Sequence, residues 1–354
     1  MNLENLRKQI DSLDEELVKL LNERVKVALE IGKAKKEKGG EIYVPAREKE
    51  VFERIEKLNS GPLPKDAARA IYREIMSAAL ALESNLKIAY LGPPATFTHQ
   101  AAHMKFGSSV DYHPVGTITD VFSAVENGVA DYGVVPIENS IEGAVTHTFD
   151  QFTSTNLKIC AEIYLPISLH LLASVPKEKI SRVCSKQEAL GQCRRWLTEN
   201  LSGVQYEAVN STAFAAEMAA QGDAAAIASA LAAELYGLSI VAENIQDASG
   251  NTTRFLIIGR KSADPTGCDK TSIYFGLKDQ VGALHDALDA LKAGGINMTK
   301  IESRPSRNKA WQYYFFVDFE GHSETPEIKI ALKVFARHCA VMHVLGSYPR
   351  SDRV

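Results

Sequence analysis

From Leu3 onward the apolar residues Leu6, Ile10, Leu13, Leu17, Leu20, Val27 and Ile31 recur at alternating steps of three and four, with Arg24 on the same seam. That spacing dictates an amphipathic helix. Running to about Lys38, where Gly39 and Gly40 supply a stop, it would be roughly 50 Å long at 1.5 Å per residue. Pro45 opens a second helix through Leu58, and the Ser60-Gly61-Pro62 break precedes a third over about 65–84. Three helices of such unequal length cannot bury so long a seam. A second copy of the chain is the simplest cover, so a homodimer or higher homo-oligomer is expected.

From Leu86 the pattern changes to short apolar strands, such as Lys87 to Leu91 and Tyr132 to Val135, alternating with helical stretches, which is α/β patterning. The run Gly133-Val-Val-Pro136-Ile-Glu138-Asn139-Ser140-Ile-Glu142-Gly143 carries a β-branched strand into a polar cluster. Pro136 is expected to stop sheet pairing. The polar groups after it then sit at the carboxyl end of a strand, where open α/β sheets bind small molecules. The same segment also reads as a plain strand-to-helix turn with Ser140 as cap. The alanine-rich stretches Thr212 to Ala220 and Ala224 to Tyr236 read as helices of a second lobe, and Lys261 to Cys268, with Pro265 and Gly267, as a linker. Beyond it, strand, helix, two strands, helix and strand give the ferredoxin-like βαββαβ order.

At 354 residues and about 150 per domain, the chain should hold two or three domains. A formal charge of −4 argues against nucleic acid. No run of about 18 apolar residues and no apolar leader appear, so no membrane association is expected and the cytoplasm is the default setting. Five scattered cysteines without a C-x-x-C pair, and histidines without ligand spacing, point to neither disulfides nor metal. G-x-G-x-x-G and P-loop sequences are absent, so no cofactor is expected.

Burying the Arg24 guanidinium on an apolar seam costs several kcal/mol unless an anion meets it. Lys35, eleven residues on, shares that face roughly 16 Å away, so the two long side chains could grip one small dianion. Arg47 and Glu48 could close the site. Arg7 lies seventeen residues from Arg24 on another face and can serve only a neighbouring subunit's site. A coiled-coil arm with Arg24 paired to a local glutamate fits the spacing equally. The pattern Arg7-x-x-Ile10-Asp11, Arg24, Lys33-Ala34-Lys35 and Arg47-Glu48 closely resembles the all-helical chorismate mutase family. The resemblance implies that Arg7, Arg24 and Arg47 bind substrate carboxylates, that Lys35 stabilises the ether oxygen of the breaking bond and that Glu48 binds the hydroxyl. Glu83 falls where relatives place Gln or Glu against the ether oxygen, and there it would need a raised pKa to donate. Val44 replaces an aspartate found in some relatives.

The stretch from Leu86 to about Arg260 resembles prephenate dehydratase, a two-lobed, periplasmic-binding-protein-like α/β fold. The matching motifs are Gly92-Pro-Pro-Ala95-Thr96-Phe-Thr98, Pro136-Ile-Glu138-Asn139-Ser140, Ser185 with Gln192, Asn210-Ser211-Thr212, and Asn251-Thr252-Thr253-Arg254-Phe255. The resemblance implies that Thr253 assists the departing hydroxyl, that Arg254 binds a carboxylate if it points inward, and that Asn139, Ser140, Ser185, Gln192, Ser211 and Thr212 position substrate. Singly, Ser211 and Thr212 read as helix caps, Gln192 as a surface residue and Arg254 as a partner of Asp247. Ala95 stands where the family usually has glycine; if the position needs positive φ, alanine costs on the order of 1 kcal/mol.

Residues from Thr271 to about Tyr348 resemble an ACT regulatory domain, α+β and ferredoxin-like, through Gly282-Ala283-Leu284-His285 and Glu302-Ser303-Arg304-Pro305. In dehydratases these motifs bind L-phenylalanine between paired domains, so Gly282, Ala283, Leu284, Glu302, Ser303 and Arg304 are the implied effector residues. The expected division is a helical mutase domain over 1–85, a two-lobed dehydratase over 86–262 and a regulatory domain over 270–354. Together they imply a multidomain enzyme taking chorismate through prephenate to phenylpyruvate under phenylalanine control. The alternative is an amino-acid-sensing bilobal receptor with an ACT domain and a coiled-coil arm, needing no chemistry from Lys35, Glu48 or Thr253.

Overall fold

The computed structural model describes residues 2–37, 43–306 and 312–351, so the expected helix stop at Lys38, Gly39 and Gly40 lies outside the described residues. The chain forms two compact units, one reaching to Lys87 and also including Lys105–Asp111, the other made of Ile88–Met104 and the chain from Tyr112 onward. Among the described residues no helix is long and apolar enough to cross a membrane.

The first unit is helical, with α1 at Leu3–Glu37, α2 at Pro45–Leu58 and α3 at Lys65–Glu83. Pro45 occupies the first turn of α2, where its missing N–H costs nothing. Helix α1 is half covered from Leu21 through Lys35, at Arg24, Val25, Ala28 and Leu29 among others, and Gly32 is fully buried. Its amino-terminal half is different: Leu6, Ile10, Leu13, Leu17 and Leu20 are all exposed.

In the second unit a first lobe runs through β1 (Lys87–Leu91), α4 (Phe97–Phe106), β2 (Asp111–Val115), α5 (Ile118–Glu126), β3 (Tyr132–Asn139), β4 (Gly143–Ala144), α6 (Thr146–Phe152) and β5 (Lys158–Pro166). The second lobe holds β6 (His170–Ala173), β7 (Arg182–Ser185), α7 (Gln187–Gln192), α8 (Arg194–Asn200), β8 (Gln205–Ala208), α9 (Thr212–Ala220), β9 (Ala224–Ala228), α10 (Ala230–Tyr236) and β10 (Ser239–Ala242). Strand β11 (Thr252–Gly259) then returns to the first lobe, so two chain crossings join the lobes. The sheet orders are β2-β1-β3-β11-β5 and β10-β6-β9-β7-β8.

Two sequence expectations are corrected here. Pro136 does not end sheet pairing: β3 continues to Asn139, and Pro136 pairs with Phe255 beside a register shift, the kind of irregularity that tolerates a missing N–H. Ala224–Ala228 is the central strand of the second sheet, not a helix. All five residues, four alanines and Ile227, are buried, so no polar period marks it.

The last segment is β12 (Asp269–Leu277), α11 (Ala283–Ala293), β13 (Met298–Pro305), β14 (Tyr313–Glu320), α12 (Pro326–His338) and β15 (Cys339–Pro349), with sheet order β13-β14-β12-β15. One face of this sheet packs on α11 and α12 through Phe275, Leu291, Phe319 and Phe335. The other joins the first lobe's core, where Tyr274, Phe316, Leu345 and Tyr348 meet Phe149, Phe152 and Ile159. Gly346 is required there, since a Cβ on it would lie 2.2 Å from the Ile159 carbonyl oxygen.

Candidate functional site

Strands β3 and β11 run antiparallel with Asn139 opposite Thr253 and Glu138 opposite Arg254. Side chains alternate along a strand, so the two pairs face opposite ways. Asn139 Nδ2 donates to Thr253 Oγ1 at 2.8 Å and to Asn251 Oδ1 at 2.7 Å, while its Oδ1 accepts the N–H groups of Ile141 and Glu142 at 2.9 Å. The amide is thereby fixed in orientation. Because Thr253 Oγ1 accepts from Asn139, its own proton is available to donate, and it has no acceptor among the described residues. Asn251 Nδ2 continues the chain to Gln192 Oε1 at 3.0 Å, and Gln192 Nε2 donates to Glu142 Oε1 at 2.9 Å, so this network ties β3 and β11 of the first lobe to α7 of the second. Beside it opens a cleft of about 370 Å³ lined by Glu142, Gln192, Gln246 and Asp247 among others.

Asn139, Gln192 and Thr253 are therefore brought together. Ser140 lies beside them, its Oγ accepting the Thr252 N–H at 3.0 Å. Ser185 is buried at the carboxyl end of β7, donating to the Ile227 carbonyl at 2.6 Å. Ser211 caps α9 through the Phe214 N–H, with Thr212 buried as the first helical residue. Parallel β7 and β8 carry these residues at their carboxyl ends.

Arg254 lies elsewhere. Its Nε meets Glu162 at 2.9 Å, Nη1 meets Asp318 at 2.5 Å and Nη2 accompanies Tyr348 Oη at 2.9 Å. Burial opposes the charge, but Asp318, Tyr348 and Glu162 outweigh it and hold the guanidinium firmly protonated. With all three nitrogens engaged on the face away from Thr253, the expectation of a substrate carboxylate or of Asp247 as its partner gives way to an internal ion pair. Asp247 instead accepts the Arg195 and Trp196 N–H groups.

The loop before α4 shows why the alanine there matters. Ala95 has φ +67, the conformation glycine favours. Its N–H donates to His99 Nδ1 at 3.0 Å and its carbonyl accepts from Ser229 Oγ. Burial, and then His103, press the His99 imidazole down to about 4.

In the helical unit, burial lowers the pKa of Arg24, with Arg54 and Arg47 adding repulsion and Tyr72 opposing it. Arg24 makes no salt bridge among the described residues. Half-buried, it feels the Arg54 and Arg47 cations and has no carboxylate partner among the described residues. Arg47 pairs at the surface with Glu50 at 2.8 Å, and Glu48 is held by Lys105 Nζ at 2.5 Å and Tyr43 Oη at 3.0 Å. Glu83 packs against Gly32, where any Cβ would lie 2.2 Å from its Cγ, and its buried Oε1 has no hydrogen-bond partner among the described residues. Lys36 Nζ donates to the Glu83 carbonyl at 3.0 Å, and Lys35 is half-buried on the adjoining turn. Arg7 is exposed, roughly 25 Å along α1 from Arg24.

In the last segment Gly282 caps α11 at φ +82, so its backbone conformation is the constraint there. Ala283 is buried and Leu284 packs into the helix-covered core. Glu302, Ser303 and Arg304 lie within β13, with Arg304 4.0 Å from Asp150 of α6. Sequence reasoning missed Asn251, Glu142, Arg54 and Lys105. Asn251 opened a quoted motif, and its place beside Thr253 was the available signal.

Comparison with known proteins agrees with this three-part layout. Residues 6–84 match the chorismate mutase type II family, 88–263 the prephenate dehydratase family and 271–336 the ACT domain family. A bifunctional chorismate mutase/prephenate dehydratase of Aquifex aeolicus is 53% identical over 99% of this chain and 98% of its own length. The chain belongs to this bifunctional family. The Pseudomonas aeruginosa member is 44% identical over the same shares of both chains. A crystal structure of prephenate dehydratase from Arthrobacter aurescens in complex with L-Phe superposes with a TM-score of 0.70 at 35% identity, covering 76% of this chain and 91% of that one.

Proposed function

We propose that the chain rearranges chorismate to prephenate in its helical unit and converts prephenate to phenylpyruvate between the two α/β lobes. Phenylalanine acting through the ACT segment restrains the second step. The observation that carries the reading is the Thr253 hydroxyl, pinned through its oxygen by Asn139 and left with its proton unspent.

Prephenate loses its ring carboxylate as carbon dioxide and its ring hydroxyl as hydroxide, which takes a proton from solvent to become water. The electron pair of the breaking carbon–carboxylate bond moves into the ring as the carbon–oxygen bond breaks, and aromaticity drives the exchange. Thr253 is too weak an acid to protonate the hydroxyl outright, so it polarises the leaving oxygen by hydrogen bonding. Asn139, Ser140, Ser185, Gln192, Ser211 and Thr212 position the substrate. Neutral donors leave the ring carboxylate free to depart.

The first step is a pericyclic rearrangement that gains from orientation and from charge placed at the breaking carbon–oxygen bond. Arg24, without a salt bridge among the described residues and repelled by the Arg54 and Arg47 guanidiniums, supports a dianion site. Lys35 and Glu83 serve the ether oxygen, and Arg47, Glu48 and the neighbouring subunit's Arg7 complete the clamp. The exposed seam from Leu6 to Leu20 supports a homodimer. The functional division is 1–85, 86–262 and 270–354, and the setting is the cytoplasm, where thiols remain reduced. Gly282, Ala283, Leu284, Glu302, Ser303 and Arg304 form the effector site.

The test is to supply purified protein with chorismate and follow prephenate and phenylpyruvate separately. Lys35→Ala is expected to stop the first step alone and Thr253→Ala the second alone. Either substitution stopping both would defeat the modular assignment, and no turnover of either substrate would favour an amino-acid receptor.

A further inference from the structure

The face of β3 and β11 opposite the Asn139–Thr253 pair is built against the ACT sheet by four charges in matched register. On the dehydratase side Glu138 and Arg254 are cross-strand partners, each one residue from a network residue. On the ACT side Lys300 of β13 and Asp318 of β14 are cross-strand partners. Lys300 Nζ meets Glu138 Oε1 at 2.6 Å, and Arg254 Nη1 meets Asp318 Oδ2 at 2.5 Å. Each strand pair thus presents one cation and one anion to its opposites. Glu138 belongs to this face and not to the polar cluster that the sequence placed at the strand end.

We propose that this quartet couples the ACT segment to the dehydratase centre, with Lys300 and Asp318 passing a displacement of the ACT sheet to Glu138 and Arg254, the chain neighbours of Asn139 and Thr253, while the resting geometry of that pair is held by its own network. The inference rests on the reading that phenylalanine restrains the second step. Glu302 and Arg304 of the effector motif alternate with Lys300 on one face of β13, two and four residues away. A displacement of β13 at that motif therefore pulls on Glu138 directly, and on Arg254 through Asp318. The backbone cannot move Glu138 without moving Asn139, or Arg254 without moving Thr253. The 2.8 Å bond that orients the Thr253 proton is what such a shift would spoil. A cleft of about 400 Å³ beside Glu138, Arg254, Lys300 and Asp318 leaves room for the movement. Lys300 is the clearest handle, because it touches no network residue and its ammonium is held by one carboxylate above the Phe149 ring.

The experiment compares the wild-type chain, Lys300→Met and Lys300→Arg in prephenate turnover across a phenylalanine titration, with phenylalanine binding measured separately by calorimetry. Lys300→Met is expected to keep its uninhibited kcat and its phenylalanine affinity, while the half-inhibiting concentration rises at least about fivefold. Lys300→Arg, which keeps the cation, is expected to retain inhibition. Inhibition of Lys300→Met equal to wild type overturns the coupling, as does loss of phenylalanine binding, which would make Lys300 part of the effector pocket. A wild-type chain indifferent to phenylalanine removes the feedback reading itself, and the coupling with it. Should Lys300→Met not fold, Glu138→Gln breaks the same link from the other side and is read against the same outcomes.

Discussion

Ala95 is held in a left-handed conformation that costs an alanine about 1–2 kcal/mol, yet its methyl is buried among Ala213, Ala216, Ala228 and Ala232. Burying one methyl returns about 0.8 kcal/mol, so strain and packing nearly cancel. Ala95→Gly should change the unfolding free energy in urea by less than about 1 kcal/mol. Ala95→Val, β-branched and overfilling the same space, should lose more than about 2 kcal/mol. A large gain from glycine would show that the methyl contributes nothing. The neighbouring His99 gives a second prediction. Its Nδ1 is occupied by the Ala95 N–H, its Nε2 lies 3.0 Å from His103 Nε2, and its ring stacks on Tyr90 and meets Tyr112 edge-on. Its folded value of about 4 lies below the ordinary 6.5. Between those values the unfolded chain takes up a proton that the folded chain refuses, so this group's contribution to stability falls as pH drops from 6.5 and levels off below about 4. NMR titration of the ring should find His99 neutral at pH 5; a midpoint near 6.5 would contradict the buried geometry.

At the scale of elements, β11 turns successive residues to different partners, Thr253 to Asn139 and Arg254 to the carboxylates of β5 and β14. Replacing Arg254 by methionine keeps the packing but leaves Asp318 and part of the Glu162 charge uncompensated. Arg254→Met should cost about 3–5 kcal/mol in denaturant unfolding at neutral pH. Asp318 is buried, which alone would raise its pKa, but Arg254 and Ser272 pull it below the ordinary carboxylate value. Its stabilising contribution is therefore complete above that ordinary value and is lost as pH falls through the lowered one. In the variant the stranded carboxyls take up protons more readily, so the deficit should be smaller at pH 5 than at pH 8. An unchanged deficit would mean that packing, not charge, holds the joint. None of this was visible along the chain, because Glu162 and Asp318 lie 92 and 64 residues from Arg254. Helix starts were visible, since Pro45 and Pro326 mark them directly. Ala224–Ala228 was misread because a strand buried on both faces carries no polar period, and Pro136 because the register shift beside it, which skips Ile137, appears only once β3 is paired with β11. Asn139 and Thr253 were legible from their motifs. Their bond depends on pairing across 114 residues, which no local pattern specifies.

For the whole molecule, the unresolved balance is that of α1, whose amino-terminal half exposes an apolar seam that a lone chain leaves in water. Burying that seam against a second copy would also carry Arg7 to the neighbour's Arg24, a reach that roughly 25 Å of helix forbids within one chain. The two ideas are joined by one test. Arg7→Ala and Arg24→Ala should each abolish mutase turnover while leaving prephenate turnover intact. If each site takes Arg24 from one chain and Arg7 from the other, a mixed dimer holds one doubly damaged site and one intact site. Unfolding and refolding the two inactive variants together should then restore about a quarter of wild-type mutase activity, since half of randomly paired dimers are mixed and half of their sites are whole. Sites built within a single chain would stay dead in every combination, because each copy would keep its own lesion. Recovery would therefore require that the seam joins chains and that the cation clamp spans them, whereas a mixture that stays inactive, with dimers verified by sedimentation, would place Arg7 outside the chemistry.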